Sequence, residues 1–208
     1  IGGGNKFRGG DGPLHTCNGN NMRNPLYGAF IEAGAQAGYS LTNDYNGQQQ
    51  EGFGAMHMTV RNGVRDSTAN AYLRPVMKRP NLHVISKAMT LRVIMEGKRA
   101  VGVEIERDGE RSQIGASREV ILAAGSIGSP TLLQVSGIGP AAMLKSAGLD
   151  VVQNLPGVGE NLRDHYPVRM VARVKNIGTI NERVRGVNLL AEVAKYAFAR
   201  KGVLTLSP

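Results

Sequence analysis

Glu119-Val-Ile-Leu-Ala-Ala-Gly-Ser-Ile-Gly-Ser-Pro-Thr-Leu-Leu-Gln-Val-Ser-Gly-Ile-Gly139 decides the reading of this chain. Glu119 to Ala124 is a short, continuous apolar run, which predicts a strand buried on both faces, as in a parallel sheet. Gly125 ends it. Ser129 and Pro130 then read as the cap and first position of a helix that continues through Val135. A strand feeding a sharp glycine turn and a helix start aims main-chain N–H groups and the positive helix end at one spot. The small residues Ala123, Ala124, Gly125, Ser126 and Gly128 would let a flat or anionic ligand approach the backbone. The same letters also suit close packing of a strand on a helix, and the local pattern leaves both readings open.

Upstream of this stretch the period is that of strands. Leu82 to Ile85, Met89 to Met95, Ala100 to Ile105 and Arg111 to Ile114 are expected strands. Glu96-Gly97 and Asp108-Gly109 supply turns of an antiparallel meander. Further upstream, Asn24 and Pro25 open a helix over 25–38 with Leu26, Phe30, Ala33 and Ala37 on one stripe, and Gly38 closes it. Residues 1–24 and 39–55 read as loop. Asn62-Gly63 turns a hairpin whose first arm alternates at Met56, Met58 and Val60. A helix is expected from Thr68 to Arg79, kinked or stopped at Pro75. Downstream come a helix over 141–147, a short strand at Val151-Val152, a Gly-rich loop from Asn154 to Asp164, a strand from Val168 to Val174 and a helix from Val187 to Arg200. Helices and strands are mixed throughout, so the fold class is α/β or α+β.

Composition narrows the function. The chain has 208 residues, 25 Lys and Arg, 16 Asp and Glu, and 28 Gly. Residues 1–70, 71–140 and 141–208 carry net charges of 0, +4 and +5, which sum to the formal +9. A pI near 10.0 permits a nucleic-acid partner. However, like charges never run beyond two residues and there is no Trp, so no nucleic acid is expected. No run is long enough for a membrane-spanning helix. Cys17 stands alone, which excludes an internal disulfide and favours a reducing compartment. The expected location is the cytoplasm, with or without peripheral membrane association.

His15, His57, His83 and His165 form no zinc pattern. His165, after Asp164 in the Gly-rich loop, is the best placed for a site. Gly137-Ile138-Gly139-Pro140-Ala141-Ala142 has the letters of a dinucleotide fingerprint but follows a helix rather than a strand.

The run from Gly125 to Gly139 closely resembles the second signature of the glucose–methanol–choline oxidoreductases, FAD-dependent alcohol oxidases and dehydrogenases. Arg8-Gly-Gly-Asp-Gly-Pro-Leu14, Asp44-Tyr-Asn-Gly47, Gln50-Glu-Gly-Phe-Gly54, Ser67-Thr68 with Ala71-Tyr-Leu-Arg-Pro75, Arg79-Pro-Asn-Leu82, Gly97-Lys-Arg-Ala-Val-Gly-Val-Glu104 and Leu155-Pro-Gly-Val-Gly-Glu-Asn-Leu-Arg-Asp-His165 resemble its choline dehydrogenase branch, in that family's order.

The resemblance implies part of a Rossmann-like FAD-binding domain with an antiparallel meander over 81–166. It also implies a lid and substrate-region segment over 1–80, and the start of a substrate-binding domain over 167–208. It places cofactor contacts at Thr90, Ala124, Gly125, Ser126, Asn161, Asp164 and His165. Arg163 stands where the family often has Gln. The family's N-terminal dinucleotide motif and its C-terminal catalytic histidine have no counterpart in these residues. The expectation is therefore an internal segment of a longer enzyme that needs the rest of its polypeptide. The implied reaction oxidises a small alcohol, choline or a relative, to the aldehyde by hydride transfer to flavin, with an electron acceptor that the letters do not name. The alternative is an isolated inactive piece, or a basic binding module without FAD.

Overall fold

The computed structural model describes residues 4–19 and 24–205. Gly2-Gly3 of the opening glycine cluster, residues 20–23 of the opening loop and the closing Ser207-Pro208 lie outside them. In chain order the elements are β1 (Cys17–Asn18), α1 (Pro25–Gln36), β2 (His57–Met58), β3 (Val60–Arg61), β4 (Val64–Arg65), β5 (Ala88–Glu96), β6 (Arg99–Arg107), β7 (Glu110–Gly115), α2 (Gly125–Val135), β8 (Ile138–Gly139), α3 (Ala141–Ser146), β9 (Gln153–Asn154), α4 (Ile180–Arg183) and α5 (Gly186–Ala199). The chain is a mixture of helix and strand, and it divides into two units, Ile1–His83 with Val171–Pro208, and Val84–Met170.

In the first unit α1 starts as its letters require. Asn24 Oδ1 accepts the Leu26 N–H at 3.0 Å and Pro25 takes the first turn, where its missing N–H costs nothing. The buried face is not the expected stripe. Phe30 is 67% exposed, whereas Gly34 is buried. The Phe53 ring lies so close to Gly34 that a Cβ there would come within 2.5 Å of it. Phe30 and Tyr39 flank the same ring, with centroids 5.4 and 5.5 Å away.

β1 pairs antiparallel with β2, and β3 with β4. Asn62 and Gly63 both take positive φ, 52° and 73°, which gives the two-residue turn expected of Asn-Gly. The expected helix over 68–79 is shorter: a π-turn at Ala69–Leu73 followed by a 3₁₀ turn at Arg74–Val76 that holds Pro75. Proline removes a helical donor, so the α pattern does not propagate past it. α4 opens with a full capping box between Thr179 and Glu182. In α5, buried Glu192 takes hydrogen bonds from Lys195 Nζ at 2.7 Å and from the Val203 N–H at 3.0 Å.

The second unit is built on the meander β5-β6-β7, antiparallel throughout. Gly97 (φ 58°), Asp108 (54°) and Gly109 (84°) supply its turns. Val93 and Ile105 are its buried core, each under a tenth exposed. Ser136, just past α2, closes one flank: its Oγ accepts the Val93 N–H at 2.8 Å and donates to Leu132 O at 2.6 Å. β8 and β9 pair in parallel through α3, whose Leu144 is fully buried.

Three expected strands are absent. Leu82 to Ile85, Glu119 to Ala124 and Val168 to Val174 pair with nothing among the described residues. Ile121 is 78% exposed and Val171 96%. A run of strand letters becomes a strand only when a neighbour takes its hydrogen bonds, and these three segments have the apolar letters without that neighbour. The Val151-Val152 strand is shifted to Gln153–Asn154.

Candidate functional site

The site residues expected from the sequence lie in the second unit, around the start of α2. This helix begins at Gly125, five residues before Pro130, the first helical position expected of the Ser129-Pro130 pair. Ser129 still acts at the start, because its Oγ accepts the Ala124 N–H at 3.0 Å. Gly125 has φ +83°, and a Cβ there would meet nothing within 4 Å, so the main chain turns beside open space. Pro130 lies inside the helix and has no N–H for the Ser126 carbonyl. Thr131 Oγ1 donates to the next carbonyl, Ile127 O, at 2.8 Å. The first N–H groups of α2 lack intrahelical partners and carry its positive end.

Two open grooves lie on either side of this turn. One, of about 540 Å³, is lined by Thr90 of β5, Val103, Ile114 to Ala116, Glu119 to Ala124 and Leu132. Thr90 sits at an irregularity of the ladder: it pairs with Ile105 and Arg92 with Glu104, leaving Leu91 without a partner. Such bulges re-aim side chains and free main-chain groups. The other groove, of about 580 Å³, runs between α2 and the Gly-rich loop, with Ser126, Ile127, Ser129, Pro130 and Gln134 on one wall and Gly157 to Arg163 on the other. Gln134 Nε2 donates to Val158 O at 3.2 Å and ties the loop to the helix. Gly159 (φ +87°) makes room for that amide, which a Cβ would approach to 2.5 Å.

The structure thus brings Thr90 and Ala124 to one groove and Ser126 and Asn161 to the other, with Gly125 between them in sequence. Asp164 and His165 line neither. Both are exposed and touch each other, the His165 N–H bonding Asp164 Oδ1 at 2.8 Å. Gln134 was missed by sequence reasoning, although a lone amide within Leu132-Leu133-Gln134-Val135 was a legible sign of a side chain with a polar task. Among the described residues no cluster of three His, Cys, Asp or Glu could hold a metal. No described helix is long and apolar enough to cross a membrane. The perturbed acids are in the other unit. The Arg8 guanidinium, hydrogen-bonded to Asp44, holds that carboxyl below its ordinary value, and Lys195 and the Val203 N–H do the same for Glu192.

The family model described as GMC oxidoreductase matches residues 6–167. The chain is 60% identical over 169 residues to the oxygen-dependent choline dehydrogenase of Photobacterium profundum, covering 81% of this chain and 30% of that protein. It is 52% identical over 204 residues to the enzyme of the same name from Vibrio vulnificus, covering 98% of this chain and 36% of that protein. The chain therefore spans about a third of the length of the curated relatives it matches. Among solved structures, formate oxidase superimposes with a TM-score of 0.85 at 27% identity, over 95% of this chain and 35% of that one. An FAD-dependent oxidoreductase from Chaetomium thermophilum superimposes with a TM-score of 0.84 at 24% identity, over 99% of this chain and 36% of that one, and shares the fold. A family model spanning most of the chain, relatives at this identity and these superpositions agree: the chain belongs to the GMC oxidoreductase family.

Proposed function

We propose that this chain is part of an FAD-dependent oxidoreductase that oxidises choline, or a closely related primary alcohol, to its aldehyde. The observation that carries the reading is identity of 50–60% to oxygen-dependent choline dehydrogenases, including 52% over almost all of this chain. The residues present fit such a cofactor. Open space beside Gly125, unbonded first-turn amides and small side chains at Ala124 and Ser126 suit a flat, phosphate-bearing group. Thr90, Ala124, Gly125 and Ser126 would hold it, with Asn161 from the facing wall. Asp164 and His165 line neither groove and are not among the residues that would hold it.

FAD, when bound, accepts the hydride removed from the alcohol carbon. This chain's own residues bind and orient. The α2 amides offer a positive end, the Leu91 bulge offers main chain beside Thr90, and the Gln134–Val158 bond keeps the loop wall in place. The chain's division at 83/84 and 170/171 lies close to the bounds of the FAD-binding segment over 81–166, between a lid and substrate-region segment over 1–80 and the start of the substrate-binding domain over 167–208.

The test is anaerobic titration of the full-length protein with choline. A yellow protein whose visible flavin absorption bleaches on choline supports the reading. A colourless protein, or a yellow one bleached by neither choline nor related primary alcohols, overturns it.

A further inference from the structure

The chain contains three Asn-Gly pairs, at Asn18-Gly19, Asn46-Gly47 and Asn62-Gly63. This dipeptide is the one in which a side-chain amide is most open to attack by the next main-chain nitrogen, because glycine puts no side chain in the way. All three asparagines are exposed, so access to the amide does not distinguish them. The following N–H group does. Gly19 is buried and its N–H donates to Met56 O at 2.8 Å, beside the β1–β2 ladder. Gly47 is buried and its N–H donates to Asp44 O at 3.0 Å. The Asn46 amide is itself engaged, 2.9 Å from His57 Nδ1. Gly63 is only half-buried, and its N–H has no hydrogen bond among the described residues. The hairpin it turns has two residue pairs, Val60–Arg65 and Arg61–Val64, the kind of short ladder that opens readily.

We propose that Asn62 is the site of spontaneous deamidation among these three, and that Asn18 and Asn46 are protected by the hydrogen bonds of the glycines that follow them. The Gly63 nitrogen gives its proton to solvent base and forms a bond to Asn62 Cγ. The bond from Cγ to the side-chain nitrogen breaks, and that nitrogen leaves as ammonia. One water then opens the five-membered imide at either carbonyl, giving aspartate or isoaspartate at position 62. No oxidant or reductant is involved. The isoaspartyl product adds a carbon to the main chain of a two-residue turn and puts a negative charge on it. The arms of that turn carry Arg61, which bonds Pro13 O at 2.7 Å, and lead into Asp66, which bonds the His15 N–H at 2.9 Å. Chemical ageing at 62 therefore acts where the opening loop is anchored.

The test is peptide mapping of the full-length protein after incubation at mildly alkaline pH, counting aspartate and isoaspartate at positions 18, 46 and 62. The same incubation is repeated in concentrated denaturant. The expected result is several-fold more product at 62 than at 18 or 46 in the folded protein, with the three converging once the chain is unfolded. Equal rates at the three sites in the folded protein, or faster reaction at 18 or 46 than at 62, overturn the proposal. So does a preference for 62 that persists undiminished in denaturant, since it would then come from the neighbouring letters and not from the fold.

Discussion

The meander β5-β6-β7 and the run Glu119 to Ala124 have equally strong strand letters, yet only the first forms a sheet. The difference is where their partners come from. Each strand of the meander meets its neighbour after a two-residue turn, so the ladder is supplied locally. Apolar side chains on both faces of 119–124 ask for packing layers above and below a sheet, and no described residue pairs with it to make one. Strand propensity is a statement about a half-buried pleated surface, and it becomes structure only where that surface exists.

A matched pair of truncations in the 208-residue chain tests this contrast most severely. Ile105→Ala empties a buried meander position and should cost about 2–5 kcal/mol, read as a lower urea midpoint. Ile121→Ala should stay within about 0.5 kcal/mol, because that side chain is 78% exposed. Equal costs would mean that 119–124 is packed in a ladder after all. Next in size is Ser136→Ala, which leaves the Val93 N–H buried without an acceptor. A loss of about 1–3 kcal/mol is expected, together with faster amide exchange at Val93 than at Ile105. Gly159→Ala puts a side chain at φ +87° and should cost about 1–2 kcal/mol, with the Gln134 amide displaced from Val158. Thermal melts of the variant and of a Gln134→Ala control would separate backbone strain from the lost bond.

The smallest effect concerns acid. Glu192 is held below its ordinary value of 4.5 by Lys195 and the Val203 N–H, so its folded form favours the carboxylate. That stabilisation is complete at neutral pH and is lost as the pH falls from about 4.5 through the lower folded value. Glu192→Gln should flatten stability against pH in that acid window and leave the slope above pH 6, roughly, unchanged. An unaltered acid limb would show that the pin between α5 and Val203 contributes nothing.

Much of the fold could be read from particular letters. Asn24-Pro25 marked the start of α1, and Asn62-Gly63, Gly97 and Asp108-Gly109 marked turns that all have positive φ. What could not be read was any element whose outcome depends on a distant partner. Leu82 to Ile85 and Val168 to Val174 have the letters of strands, but letters say nothing about what sits beside them. The start of α2 was misplaced because Ser129-Pro130 is a good cap pair, whereas the helix begins at Gly125 and uses Ser129 to bond back to Ala124. The small residues at 124–126 were legible from size alone, and Gly125 turns beside open space. Asp164 and His165 were expected from the family resemblance, and they are exposed and touch each other.

The parallel pairing of β8 with β9 through α3 is built from nearby stretches of chain. The pairing and its flanking bonds, from the Gly137 carbonyl to the Leu155 N–H, lie within 19 residues around the buried Leu144, so the loop to be closed is short and its entropy small. The β8–α3–β9 unit is thus a short-range closure, whereas the joining of α2 to the meander through Ser136 spans 43 residues of chain.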